Sequence, residues 1–367
     1  MTESHSFFEK IESHFTSELP FVCFAKNGQL KAYLQVDEQV HTIEDFQVEG
    51  FVFCPFSNSE SKIIFPSNHC KVISSEVQPI EFSKSELKFE ESNIDRIRHE
   101  ALVSKAIETI KSSEIKKIVC SRKLKVRVKI DPIQVFQRLA SQYSKAYSYC
   151  WYHPKVGIWL GATPEQFIFL DRNRLETVAL AGTIDASKFE EPKWTAKEIE
   201  EQQMVTDFIV KGLESNTQNI NISKTESIKA GQLWHLKTRI SAEIEIENLD
   251  QIISDLHPTS AVCGLPKHAA EQFIITNEHY DRQFYTGFLG EMHLKQEQLR
   301  HRRSKDQEQM AIKSIKRVSD LYVNLRCMQA FEDHVEIYVG GGVTKDSDPK
   351  AEYEETVAKS QTLLSIL

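Results

Sequence analysis

Residues 146–184 read AYSYCWYHPKVGIWLGATPEQFIFLDRNRLETVALAGTI. The stretch is rich in aromatic and β-branched residues and is broken only by short turn-forming runs. It reads as three successive strands: AYSYCWYH, then VGIWLGAT continued by QFIFL, then LETVALAGTI. Turns this short join antiparallel neighbours, because a parallel crossover needs a dozen or more residues.

The same reading extends outward. PFVCFAK, KAYLQV, EGFVFCPF and KIIFP, within residues 20–82, predict short strands after a helix over 1–17. Ile94, Ile97, Ala101, Ile107 and Ile110 recur at helical spacing and predict a helix over about 94–112. IKKIVCSRKLKVRV reads as a strand, and helices are expected near 196–213 and 268–274. Strands return at YTGFLGEM, LYVNLRCMQA and HVEIYVGGG, and a helix closes the chain. Strands in runs with helices in separate blocks predict an α+β fold, with large antiparallel β-sheets packed with flanking helices. Residues 1–94 are expected to be a strand-rich part integrated in the same domain as 95–367. A charged, Gln-rich segment at 294–320, basic through Arg300, Arg302, Arg303, Lys305, Lys313, Lys316 and Arg317, reads as a solvated insertion, loop or short helix.

The chain has 367 residues and a formal net charge of -8. No apolar run approaches the ~20 residues of a membrane span. The acidic balance does not favour nucleic acid. The acidic, amphipathic N-terminus is not a secretory signal. Seven isolated cysteines with no C-x-x-C pair predict reduced thiols in a cytoplasmic protein.

Residues 340–359, GGGVTKDSDPKAEYEETVAK, set three glycines before a helix capped by Asp348 with Pro349 in its first turn. Glycine permits positive φ and close approach of a ligand to the backbone. Glu352, Glu355 and Lys359 share one side of that helix. Glu355 and Lys359 also have the spacing of an ordinary surface ion pair. A second acidic helix follows Thr195, whose capping box with Glu198 leaves Glu201 unexplained. Two glutamates from two helices suit Mg²⁺, which takes one or two protein carboxylates beside water and an anionic substrate.

VNLRCMQA followed by YVGGGVTKDSDPKAEYEETVAKS resembles the C-terminal signature of the chorismate-utilising enzymes. LWHLKT, LHPTSAVCGLPKHAA, HYDRQFYTGFLG, KKIVCSRK, GATPEQF and ALAGT resemble further blocks of that family, in order, over about residues 95–367. Within it the chain is most similar to the isochorismate synthases. The resemblance implies the anthranilate synthase component I-like fold and a small-molecule substrate, chorismate. It also implies Mg²⁺-assisted addition of water at ring C2 with loss of the 4-hydroxyl. Lys117 then corresponds to the base and Glu165 to the general acid. Glu201 and Glu355 correspond to metal ligands, and Glu198 and Glu352 to acidic neighbours acting through metal-bound water. Arg326, Lys359, Gly341 and Gly342 correspond to carboxylate contacts, and Gly182 to a backbone contact near the ring. Ala181 stands where amine-type relatives carry a nucleophilic lysine, which argues against covalent amine chemistry, and the presence of Lys117 favours water as nucleophile. The product would enter menaquinone or siderophore synthesis. A salicylate synthase and a non-catalytic chorismate-binding protein are the alternatives, and a monomer is expected. The chain departs from the family at Gln202, where histidine is usual, at Leu325 and Met328 beside Arg326, and in the length of the 294–320 insertion. His235 and His257 read as packed or supporting residues, and Trp234 as core.

Overall fold

The computed structural model describes residues 3–82, 92–185, 191–230, 233–299 and 313–367. In chain order the first strands are β1 (Phe21–Lys26), β2 (Gln29–Gln35), β3 (Thr42–Ile43), β4 (Gly50–Cys54), β5 (Lys62–Pro66), β6 (Cys70–Glu76) and β7 (Lys117–Val126). Then come β8 (Tyr147–His153), β9 (Gly157–Thr163), β10 (Gln166–Asp171), β11 (Arg174–Asp185), β12 (Thr217–Ile222), β13 (Glu226–Ala230) and β14 (Leu233–Ile244). The last are β15 (Gly264–Leu265), β16 (Phe288–Leu299), β17 (Lys313–Val323), β18 (Cys327–Ala330) and β19 (Val335–Val343). The α-helices are α1 (Glu3–Thr16), α2 (Asn93–Ser112), α3 (Pro132–Gln142), α4 (Ala196–Glu214), α5 (Leu249–Leu256), α6 (Lys267–Asn277) and α7 (Pro349–Leu364).

The strands form two sheets. One has the order β15-β7-β19-β18-β9-β8-β1-β2-β6; the other runs β12-β14-β11-β10-β17-β16-β4-β5-β3, with β13 also on β14. The pairings are antiparallel, for example β8 on β9 and β10 on β11. The fold is therefore α+β with two large antiparallel sheets, as the sequence predicts.

Alternation along the strands builds the layers. Tyr147, Tyr149 and Trp151 of β8 point into an aromatic layer between the sheets, where they meet Phe51, Phe53 and Tyr322. Tyr147 stacks on Tyr322 with ring centroids 4.2 Å apart. Cys150, one residue out of phase, faces α1 and α3, whose Phe7, Ile11, Phe136 and Leu139 cover that side. On the far side, Val205, Ile209 and Leu213 of α4 and Ile252, Ile253 and Leu256 of α5 cover the second sheet. Helices thus flank a pair of sheets packed face to face.

The sequence reading joins VGIWLGAT and QFIFL into one strand, and the structure corrects this: they are two. β9 lies in the first sheet and β10 in the second. Pro164 has no amide hydrogen to continue a ladder. Beyond it the Glu165 carbonyl accepts from Val323 N at 3.0 Å, in the partner sheet. The reading also omits α3 and α5. The 294–320 segment is no loop at its ends: Leu294–Leu299 and Lys313–Val318 pair as a long β16–β17 hairpin. Arg300, Arg302, Arg303 and Lys305 lie outside the described residues. Among the described residues no helix is long and apolar enough to cross a membrane.

Candidate active site

Strand ends of both sheets and the inner faces of α4 and α7 enclose a cavity of about 170 Å³. Lys117, Glu165, Gly182, Glu198, Glu201, Arg326, Gly341, Gly342, Glu352, Glu355 and Lys359 all line it. A second groove, of about 230 Å³, beside α1 and the end of β6 is lined by Glu9 and Glu12 but by no cation.

Lys117 opens β7 and is 2% exposed. Its Nζ donates to Glu201 Oε1 at 2.7 Å, across 84 residues of sequence. A buried network fixes that strand. Arg282 donates to the Val119 carbonyl at 2.7 Å and pairs with Glu278. Glu278 in turn accepts from Ser121 N at 2.7 Å. On the other side, Arg122 donates to Thr356 Oγ1 at 2.7 Å and lies over the Tyr353 ring, which ties β7 to α7.

Glu165 sits where the chain crosses between sheets and is 9% exposed. Burial pushes its carboxyl up to about 7, against the opposing pull of Lys117, Lys359 and Arg326. A glutamate in the usual turn setting would be ionised well below neutrality.

Gly340–Gly342 are extended residues of β19, paired with Ser121, Cys120 and Val119. None has positive φ, so what they supply is space. A Cβ at Gly342 would lie 2.8 Å from Lys117 Cε and 3.2 Å from Glu201 Oε1. One at Gly341 would lie 3.3 Å from Glu352 Oε2. Gly182 does use the left-handed region, with φ +69, at an irregularity in the β11–β14 register. Its carbonyl accepts from His235 Nδ1 at 3.0 Å. Burial holds His235 down to about 4, so it stays neutral.

The helix carrying Glu352, Glu355 and Lys359 begins as the sequence predicts, with Asp348 Oδ1 accepting from Ala351 N at 2.9 Å. Lys359 Nζ pairs with Glu355 at 2.6 Å and donates to the Gly340 carbonyl at 2.8 Å. The ion pair anticipated for a solvated face therefore forms inside the cavity. Arg326, at φ +48, donates to the Lys359 carbonyl at 3.2 Å. Glu198 keeps its capping role, accepting from Thr195 N at 2.9 Å, while also lining the cavity.

Gln202 does not face the cavity. It is 3% exposed and donates to the Ala179 carbonyl and Thr238 Oγ1, pinning α4 to β11 and β14. His257 is packed, bound to the Pro55 carbonyl at 2.9 Å. Trp234 is half-exposed rather than core. Tyr285 and Thr286 also line the cavity and were not singled out from sequence. Their place inside the HYDRQFYTGFLG block is the signal that could have found them.

Glu198 and Glu201 of α4 and Glu352 and Glu355 of α7 offer only oxygen donors to the one cavity that all four line. Its Cβ-free floor at Gly341 and Gly342 leaves room beside Glu352 and Glu201. Hard oxygen donors of this kind fit Mg²⁺.

A sequence profile described as chorismate binding enzyme matches residues 57–298, and a second of the same description matches 312–365. The chain is 27% identical over 276 residues to an isochorismate synthase MenF of Haemophilus influenzae, a match covering 72% of this chain and 59% of that relative. The chain thus spans about three fifths of that curated relative's length. The fold matches that of MenF, the menaquinone-specific isochorismate synthase of Escherichia coli (TM-score 0.75, 18% identity, 95% of this chain and 88% of the other). It also matches anthranilate synthase component I of Streptococcus pneumoniae (TM-score 0.64, 16% identity, 94% and 90%). Eleven site residues in one cavity, the shared fold and a profile covering most of the sequence lead to one statement: this chain belongs to the chorismate binding enzyme family.

Proposed function

We propose that the chain is an isochorismate synthase, acting on chorismate in the cytoplasm and feeding menaquinone or siderophore synthesis. One observation carries the reading. A buried amine, Lys117, and a carboxyl pushed up to about 7, Glu165, line a single cavity with further cations and carboxylates. Water addition at C2 with loss of the 4-hydroxyl needs such a pair, a base for the water and an acid for the departing oxygen.

Lys117 takes the proton from water as a neutral amine, after its own ammonium proton has passed to solvent and it has parted from the Glu201 carboxylate. Glu165 carries a proton near neutrality and delivers it to the 4-oxygen. Arg326 offers a planar fork to a substrate carboxylate, and Lys359 adds a second positive charge. Neutral His235 holds the Gly182 carbonyl and so fixes the backbone near the ring. Glu201 and Glu355 would hold Mg²⁺, with Glu198 and Glu352 beside them. When bound, the cation would neutralise the ring carboxylate and orient it. Ala181 leaves no amine for covalent chemistry at this wall of the cavity.

The test is incubation of the purified protein with chorismate and Mg²⁺, with products resolved by chromatography. Isochorismate as the sole product is expected. Salicylate with pyruvate, or chorismate binding without turnover, refutes the proposal.

A further inference from the structure

Outside the cavity lining, the turn after β2, the approach to β3 and the short 3-10 helix before β6 bring Asp37, His41 and His69 together. Their candidate ligand atoms all lie within 4.8 Å of one another. His41 Nε2 is 3.1 Å from Asp37 Oδ1, and His69 Nδ1 is 3.2 Å from Asp37 Oδ2. The two rings sit 4.8 Å apart at 52°, so both nitrogen edges converge on the carboxylate instead of stacking face to face. We propose that Asp37, His41 and His69 form a binding site for a transition-metal dication, best filled by Zn²⁺.

The scaffold holds these ligands from both sheets. The β2–β6 register pairs Gln35 with Cys70, which sets Asp37 beside His69. The His69 carbonyl accepts from Val36 N at 3.0 Å, and the His41 carbonyl accepts from Ile64 N at 2.9 Å. Asp37 is oriented in turn by Gln39 N at 2.9 Å and Gln35 Nε2 at 3.2 Å, both donating to Oδ1. Tetrahedral Zn²⁺ with N and O ligands at 2.0–2.1 Å separates neighbouring donors by about 3.3 Å. The observed carboxylate–imidazole spacings lie close to that figure. The side chains are 30%, 17% and 45% exposed for Asp37, His41 and His69, so water can complete the fourth position. Two imidazoles and one carboxylate favour Zn²⁺ over Mg²⁺, which prefers all-oxygen octahedra. β6 and β3 are the terminal strands of their respective sheets. A metal here would therefore clip the two sheets together at matching open edges.

The test uses the full chain, stripped with chelator and held in excess Mg²⁺ so that oxygen-ligand sites are filled. Titration with Co²⁺ should give one equivalent with a tetrahedral absorption spectrum, displaced by Zn²⁺, and Zn²⁺ should raise the melting temperature. His69→Gln, at a half-exposed position, should keep the fold and weaken binding by more than about tenfold, since losing even an outer partner of a metal ligand costs that much. His41→Gln should do the same, and Glu201→Gln should leave binding unchanged. Absence of the tetrahedral spectrum in the parent protein, wild-type binding in His69→Gln, or loss of binding in Glu201→Gln would each overturn the proposal. None of these readouts depends on turnover of chorismate.

Discussion

Replacing Glu165 by glutamine separates its chemical role from its electrostatic cost. Burial raises the carboxyl from its ordinary 4.5 to about 7, which at about 1.4 kcal/mol per pH unit amounts to about 3 kcal/mol. The folded chain prefers the neutral acid. Stability from this group is therefore fully present below the unfolded value of 4.5 and is lost as pH rises through about 7. Glutamine is neutral throughout and nearly the same shape. Glu165→Gln should match wild type at about pH 4 and exceed it by about 3 kcal/mol at about pH 8, while turnover falls by about 10²–10⁴ for want of an acid. Denaturant unfolding of both proteins across that range measures the difference, in which other titrating groups cancel. Parallel stability curves would mean that Glu165 ionises normally, and a general acid at neutrality would lose its physical basis.

Gly342→Ala should place a methyl against Lys117 Cε, 2.8 Å away. The flexible side chain can yield, so melting should change little while activity falls by about 10² through misplacement of the amine. Glu278→Ala leaves Arg282 charged and buried beneath β7, and unfolding measurements should show a loss of about 3–5 kcal/mol. Exhaustive chelation should abolish turnover and added Mg²⁺ restore it; full activity in chelator would remove the carboxylates' proposed role.

Several features were legible because local chemistry sets them. The Asp348–Pro349 helix start, the helix near residues 94–112 and the hairpins of residues 146–184 follow from capping, periodicity and turn length. α3 was within reach of the same local chemistry, although the reading omits it: Asp131 and Pro132 precede Ile133, Phe136 and Leu139 at helical spacing, and the Asp131 side chain accepts from Ile133 N and Gln134 N. The crossing at Pro164–Glu165 was not. Both halves are good strands, and which sheet each joins depends on partners more than 150 residues away, such as Tyr322 opposite Gln166. The burial of Glu165 and the Lys117–Glu201 contact arise from that same long-range assembly. Family blocks supplied those residues where spacing alone favoured a solvated face. The three glycines read from sequence as freedom of φ and as room for close approach; their extended backbone leaves only the second, and the side chains beside the space are those of Lys117, Glu201 and Glu352.

The most direct test of the central claim is the fate of solvent oxygen. Turnover of chorismate in ¹⁸O-labelled water should give isochorismate with one labelled oxygen, at the C2 hydroxyl. Unlabelled product would mean that the hydroxyl migrates within the substrate, and that no water is activated in this cavity.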